Sequence, residues 1–266
     1  YITSLVTLFR EARRVLKDTG VVWIVIDDSY AKAGGKWTAE GYLLKRPGQQ
    51  KSAKSTGMGY QDTKCLRPDA NLLFIPARLA MALQDDGWMC RAEIIWHKGP
   101  GGGRPESVRN RVTKTHEKVF MLTKQRQYFY DPDPIREALV RPYATSGQQT
   151  PGLIRGEVNR DFRVYLNPMG RNAGSVWTIT PSSYRGNHPA TMPLELVRRC
   201  LQASCPEGGT VLDCFGGAGT TALAALQLGH TAISIDINPE YTEEARQRIA
   251  TELRGRGYVP NKLAAD

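Results

Sequence analysis

Nowhere in the 266 residues does an apolar run approach the roughly 18 that a membrane span needs, and no secretory leader opens the chain. The five cysteines, at positions 65, 90, 200, 205 and 214, form no C-x-x-C pair. Neither a zinc site nor a disulfide framework is therefore expected, and a reducing, cytoplasmic setting fits. Cys200 and Cys214 lie in apolar surroundings and read as small buried hydrophobes. No internal repeat or heptad array is present, which sets aside solenoids and coiled coils. The first residue is Tyr1 and not Met, so further polypeptide is expected upstream.

What is present begins with charge. The net charge is +10, and two segments carry all of it. Residues 31–67 hold Lys32, Lys36, Lys45, Arg46, Lys51, Lys54, Lys64 and Arg67 against Glu40 and Asp62. Residues 97–116 hold Lys98, Arg104, Arg109, Arg111 and Lys114 against Glu106. Positive charge focused on irregular segments favours a polyanion partner. In 31–67 the cations are interspersed with Trp37, Tyr42 and Tyr60, a mixture suited to phosphates and unstacked bases.

The most informative stretch is Gly209-Thr-Val-Leu-Asp213-Cys-Phe-Gly216-Gly-Ala-Gly219-Thr-Thr-Ala222. An apolar strand ends in a glycine turn, and an Ala/Leu-rich helix follows. Glycine lets backbone approach a ligand closely, because it has no Cβ. Further on, Thr231-Ala-Ile-Ser-Ile-Asp236 reads as a second strand with a carboxylate at its carboxyl end. A carboxylate there suits the vicinal hydroxyls of a ribose. The same glycine pattern also fits a nicotinamide or flavin enzyme, or a turn that merely packs a helix on a strand. This unit sits near the carboxyl end with one helix, about 239–253, after it, so the other strands of its sheet must come from upstream.

That order, with Asp213-Cys-Phe-Gly-Gly-Ala-Gly-Thr-Thr221 and Ile235-Asp-Ile-Asn-Pro-Glu-Tyr241 last, resembles the β-class, permuted DNA amino-methyltransferases acting on adenine N6 or cytosine N4. Other matches extend along the chain. Asp27-Asp-Ser-Tyr30 stands where the family often has Gly-Asp-Ser-Tyr. Trp96-His-Lys98, then Pro105-Glu-Ser-Val108, then Thr113-Lys-Thr-His-Glu117 follow a family block, with Gly99-Pro-Gly-Gly-Gly103 departing from its usual Asn-Pro-Met. His188-Pro-Ala-Thr-Met-Pro193 resembles an element packed over the cofactor. The resemblance implies an α/β, Rossmann-like sheet in permuted order with small recognition insertions. It divides the chain into a catalytic half, 1–134, a target-recognition segment, 135–176, and a cofactor half, 177–266.

It further implies S-adenosyl-L-methionine (AdoMet) as cofactor, double-stranded DNA as partner, a possible homodimer, and methylation of the restriction-modification kind. Expected cofactor contacts are Asp213, Phe215, Gly217, Gly219, Thr220, Asp236 and Asn238 in the last half, with His188, Pro189 and Thr191 before them. Asp27 is expected either to touch the cofactor or base or to cap its strand. For DNA the expected contacts are Lys45, Arg46, Lys51, Lys54, Arg104 and Arg109, with Trp96, His97 and Lys98 near the base pocket. Arg155 and Arg160 are expected to read base edges, as arginine does bidentately at guanine. The family's Asp/Ser-Pro-Pro-Tyr is absent from the sequence and is expected upstream of Tyr1, so no residue here is assigned the catalytic acceptor. No Pro-Cys dipeptide occurs, which argues against carbon-5 methylation of cytosine. Adenine N6 is the first expectation for the target and cytosine N4 the second; a catalytically lapsed nucleic-acid-binding module is a remoter reading.

Overall fold

An amphipathic helix, α1 (Ile2–Val15), opens the chain, and the glycine-stopped turn after it feeds β1 (Val21–Ile26). The computed structural model describes residues 1–31, 70–100, 102, 108–138, 168–181 and 192–254. Helix α2 (Ile75–Asp85) has Pro76 in its first turn, where the missing N–H costs nothing. There follow β2 (Met89–His97), β3 (His116–Thr123), a short 3-10 turn at Asp133–Ile135, and β4 (Val176–Thr178). The last part comprises α3 (Leu194–Ser204), β5 (Thr210–Asp213), α4 (Thr220–Gln227), β6 (Thr231–Ser234) and α5 (Pro239–Arg254).

The strands fall into two sheets. One runs β1-β3-β2-β4, with β3 antiparallel to both neighbours and β4 parallel to β2; the other is the parallel pair β5-β6. Among the described residues β1 and β5 are edge strands. The continuous apolar run of β1 predicts burial on both faces, yet only Ile24 is fully buried and its neighbours are half-covered. A run of apolar residues cannot distinguish a strand enclosed by two neighbours from one at an edge under partial cover.

Leu5, Leu8, Phe9 and Ala12 of α1 meet Leu79 and Leu83 of α2, Trp88, and Ile24 of β1 in one apolar cluster. Burying a side chain such as Leu83 stabilises by roughly 1.5–3 kcal/mol. Val15, the last residue of the helix, is 55% exposed. A second cluster joins Ile94, Trp96, Val119, Trp177 and Ile179 to Leu196 and Cys200 of α3. Helix α3 is the connecting piece. Ser204 at its end accepts a 2.8 Å hydrogen bond from the Trp23 indole, beside the amino half of β1. Helix α4, Ala/Leu on nearly every side, is wedged between α3, α5 and the β5-β6 pair, as an all-round apolar helix must be.

Candidate cofactor and nucleic-acid site

The glycine turn after β5 is built by close approach. A Cβ on Gly216 would stand 2.1 Å from Ser234 Oγ, and one on Gly219 2.9 Å from Ala245 Cβ of α5. Gly217 and Gly219 also have φ of 47° and 72°, the left-handed region that glycine enters freely. These four residues, 216–219, are buried, so the backbone itself makes the floor of the turn. Asp213 Oδ1 accepts the Phe215 amide at 2.9 Å and folds the strand end back. Asp236, just past β6, spans the gap: Oδ2 accepts the Gly217 amide and Oδ1 the Asn238 amide, each at 2.8 Å. A carboxylate has about four acceptor positions, so two remain for hydroxyl donors. Beside it Phe215 is 61% and Ile237 100% exposed. Ile237 escapes sequence reading, since an apolar residue just after a strand looks like core.

Two of the expected contacts in this half also have structural partners. Thr220 is buried and its hydroxyl accepts from Arg248 at 3.0 Å, which ties α4 to α5. Asn238 caps α5: its Oδ1 accepts the Glu240 amide at 2.9 Å, and Pro239 takes the first helical position. The Thr220 oxygen is thus engaged by α5, and the Asn238 side-chain oxygen by the start of α5.

At the carboxyl end of β1 a second polar group assembles. Lys114 Nζ donates to the Asp28 carbonyl at 2.6 Å and pairs with Asp27 at 2.7 Å. Asp28 Oδ1 accepts the amides of Ser29 and Ile75, so the same side chain anchors the start of α2. Arg111 lies over the Tyr30 ring at 3.9 Å. Asp27 is thus an ion-pair partner at the rim. Arg109 is exposed. His97 ends β2 with Nδ1 3.4 Å from Thr178 Oγ1.

Trp96 and Lys98 correct the sequence reading. Trp96 is 4% exposed and its indole N–H donates to the Ile179 carbonyl at 2.8 Å, so it belongs to the core. Lys98 is ion-paired with Glu117 and lies 5.2 Å from the Trp96 ring centroid, which leaves little of its charge for DNA. The signal was misleading because β4, which runs alongside β2 and is followed by the accepting carbonyl, cannot be foreseen from the β2 sequence. His188, Pro189, Thr191, Lys45, Arg46, Lys51, Lys54, Arg104, Arg155 and Arg160 lie outside the described residues.

An open hollow of about 540 Å³ lined by Arg10, Arg13, Arg14, Asp18, Lys124 and Gln125 lies at the opposite edge, where β1 begins and β3 ends. Its cations are engaged: Arg10 with Asp86, Arg13 with the Asp86 carbonyl and the Trp88 ring, Arg14 with Glu11, Lys124 with Asp18. It is no counterpart of the glycine turn.

Strand, glycine turn, helix, and strand with a terminal carboxylate define a nucleotide-binding α/β unit, here placed last in the chain. Residues 1–247 match the N6/N4 DNA methylase family, and the chain belongs to it. It is 36% identical over 253 residues to the Type II methyltransferase M.SmaI of Serratia marcescens, spanning 94% of this chain and 74% of that one. With M.Cfr9I of Citrobacter freundii the identity is 35%, over 95% of this chain and 72% of the relative. Among solved structures, the cytosine-N4-specific PvuII DNA methyltransferase superposes with a TM-score of 0.62 at 14% identity, covering 99% of this chain and 72% of that one. A putative DNA modification methylase of Thermus thermophilus, in complex with S-adenosyl-L-methionine, gives 0.54 at 21% identity over 96% and 78% of the two chains. The fold is that of the AdoMet-dependent methyltransferases.

Proposed function

We propose that the protein transfers a methyl group from AdoMet to an exocyclic amine of a base in double-stranded DNA. The observation that carries this is the Asp236 carboxylate, which closes on the glycine turn with acceptor capacity left and exposed apolar side chains beside it. That set fits an adenosine: Asp236 for the ribose hydroxyls, and Phe215 and Ile237 for the faces of the adenine ring. The turn 216–219 allows close backbone approach. AdoMet, when bound, supplies an electrophilic methyl on a sulfonium. The protein's part is to hold donor and amine in line, and positioning of this kind can supply much of a rate enhancement.

No activated thiol is present among the described cysteines. Burial pushes the thiols of Cys90, Cys200, Cys205 and Cys214 up from their ordinary value, away from the thiolate a carbon-5 mechanism needs. The base must leave the duplex to reach the cofactor, and the exposed Arg109, near Arg111, suits the strand it leaves. Adenine N6 is the first reading of the target, from sequence resemblance, and cytosine N4 is the second.

The cofactor assignment is tested by ligand-induced thermal stabilisation. AdoMet at about 100 times its Kd adds roughly 2.7 kcal/mol of apparent stability by mass action. AdoMet is expected to raise the melting temperature and NAD to leave it unmoved, with Asp236→Ala abolishing the AdoMet shift. Stabilisation by NAD and not by AdoMet would assign the glycine turn to an oxidoreductase.

A further inference from the structure

Phe74 occupies a conformation its side chain does not favour. Its backbone lies at φ 53°, ψ 37°, the left-handed region, where a bulky aromatic is an outlier and glycine would sit without strain. Burial does not explain it. The side chain belongs to none of the four apolar clusters, and the residue is 54% exposed. The surrounding bonds over-determine the geometry. The Leu73 amide donates to the Ser29 carbonyl at 2.9 Å, the Ile75 amide to Asp28 Oδ1 at 3.1 Å, and the Arg78 amide to the Phe74 carbonyl at 2.9 Å. Strain held in place by such bonds, with no packing return, is characteristic of positions kept for binding.

Position narrows what is bound. Asp28, which fixes the amide after Phe74, is itself held through its carbonyl by Lys114. Tyr30, bridged to Leu72, carries Arg111 on its ring. Arg78, one turn into α2, is exposed. An exposed aromatic residue therefore stands at the carboxyl end of β1 with Arg78 and Arg111 near it in the structure, while Lys114 is held by Asp27 and Asp28. Rings so placed take the flat faces of unstacked bases, while the cations take phosphates.

We propose that Phe74 is a stacking platform for a nucleobase of the bound DNA. This rests on the reading of the protein as a DNA amino-methyltransferase. The loop after β1 and the start of α2 are fastened to each other so that the ring is presented and not folded under. The left-handed backbone is the cost of that presentation.

The test sets stability against binding. In the full-length protein saturated with S-adenosyl-L-homocysteine, affinity for a fluorescent duplex that the wild type methylates is measured for Phe74→Gly, Phe74→Leu and Phe74→Tyr. Phe74→Gly relieves the backbone and should raise the melting temperature by roughly 2–4 °C. It should also weaken DNA binding about tenfold, with the AdoMet Kd unchanged. Phe74→Tyr, which keeps the ring, should bind like the wild type; Phe74→Leu should lose most of what Phe74→Gly loses. Wild-type affinity in the glycine or leucine variant overturns the platform, as does weakened binding by Phe74→Tyr. A lowered melting temperature for Phe74→Gly overturns it too, since the ring would then be packing. A wild-type protein that binds AdoMet but methylates no DNA would instead remove the functional reading beneath it.

Discussion

Asp236 does two things at once at the scale of a single residue. Its oxygens hold the Gly217 and Asn238 amides, so removing the carboxylate loosens the turn as well as the proposed ribose contact. Ile237 separates the two effects. It is fully exposed, so Ile237→Ser should leave the unliganded melting temperature within the small range of surface substitutions, about 0.5 kcal/mol. AdoMet affinity, measured by calorimetry, should nevertheless fall about tenfold, the loss of one buried apolar side chain against the adenine ring. An unchanged Kd would remove Ile237 from the site. Of these residues, the sequence reveals Asp213, Asp236 and the glycines, because their types and spacing carry the chemistry directly. Ile237 and Phe74 were not legible, since exposure and backbone conformation are tertiary facts. Trp96 and Lys98 were misplaced for the converse reason: their partners, Ile179 and Glu117, come from elsewhere in the chain.

Among the elements, the neck of the expected recognition segment is held by a cluster of polar bonds. Glu137 and Arg171 exchange backbone hydrogen bonds of 3.0 and 2.9 Å, and the Glu137 carboxylate pairs with Arg171 at 2.8 Å and Arg199 at 2.7 Å. Arg136 adds a 2.7 Å bond to Asn172, and Arg199 lies over the Trp177 ring. Burial alone would push the Glu137 carboxyl up. The Arg199 and Arg171 guanidiniums and the Gly174 amide more than reverse this, and it titrates below its ordinary value. A carboxyl depressed on folding contributes stability in full above its unfolded value and loses it as pH falls through the folded one. The melting-temperature gap between wild type and Glu137→Gln should therefore be largest near neutral pH. It should narrow as pH falls below the ordinary carboxyl value of 4.5. A gap independent of pH would show that the carboxylate charge does not hold the neck. The helices and most strands leave a periodic or apolar pattern in the sequence and are legible from it. The neck was not: its partners come from three separate segments, and ion pairs between distant residues leave no periodic trace.

For the whole molecule, the division into two sheets joined through α3 places β1 and β5 at open edges among the described residues. The β5-β6 pair also shows Leu212 and Ile233 at 39% and 49% exposure, with Ile235 just past β6 at 53%. The family relatives are longer, this chain spanning 74% of M.SmaI, so the fold is best studied in the longest natural protein that contains it. The proposed reaction of the whole molecule is methyl transfer to an amine of a DNA base, dependent on Asp236. Its most direct measurement is nucleoside mass analysis of duplex DNA incubated with that protein and AdoMet, beside the Asp236→Ala variant. An amino-methylated nucleoside is expected, N6-methyladenine first and N4-methylcytosine second, formed by the wild type and absent with the variant. A folded, AdoMet-binding wild-type protein that yields neither nucleoside, or that yields 5-methylcytosine, would contradict it.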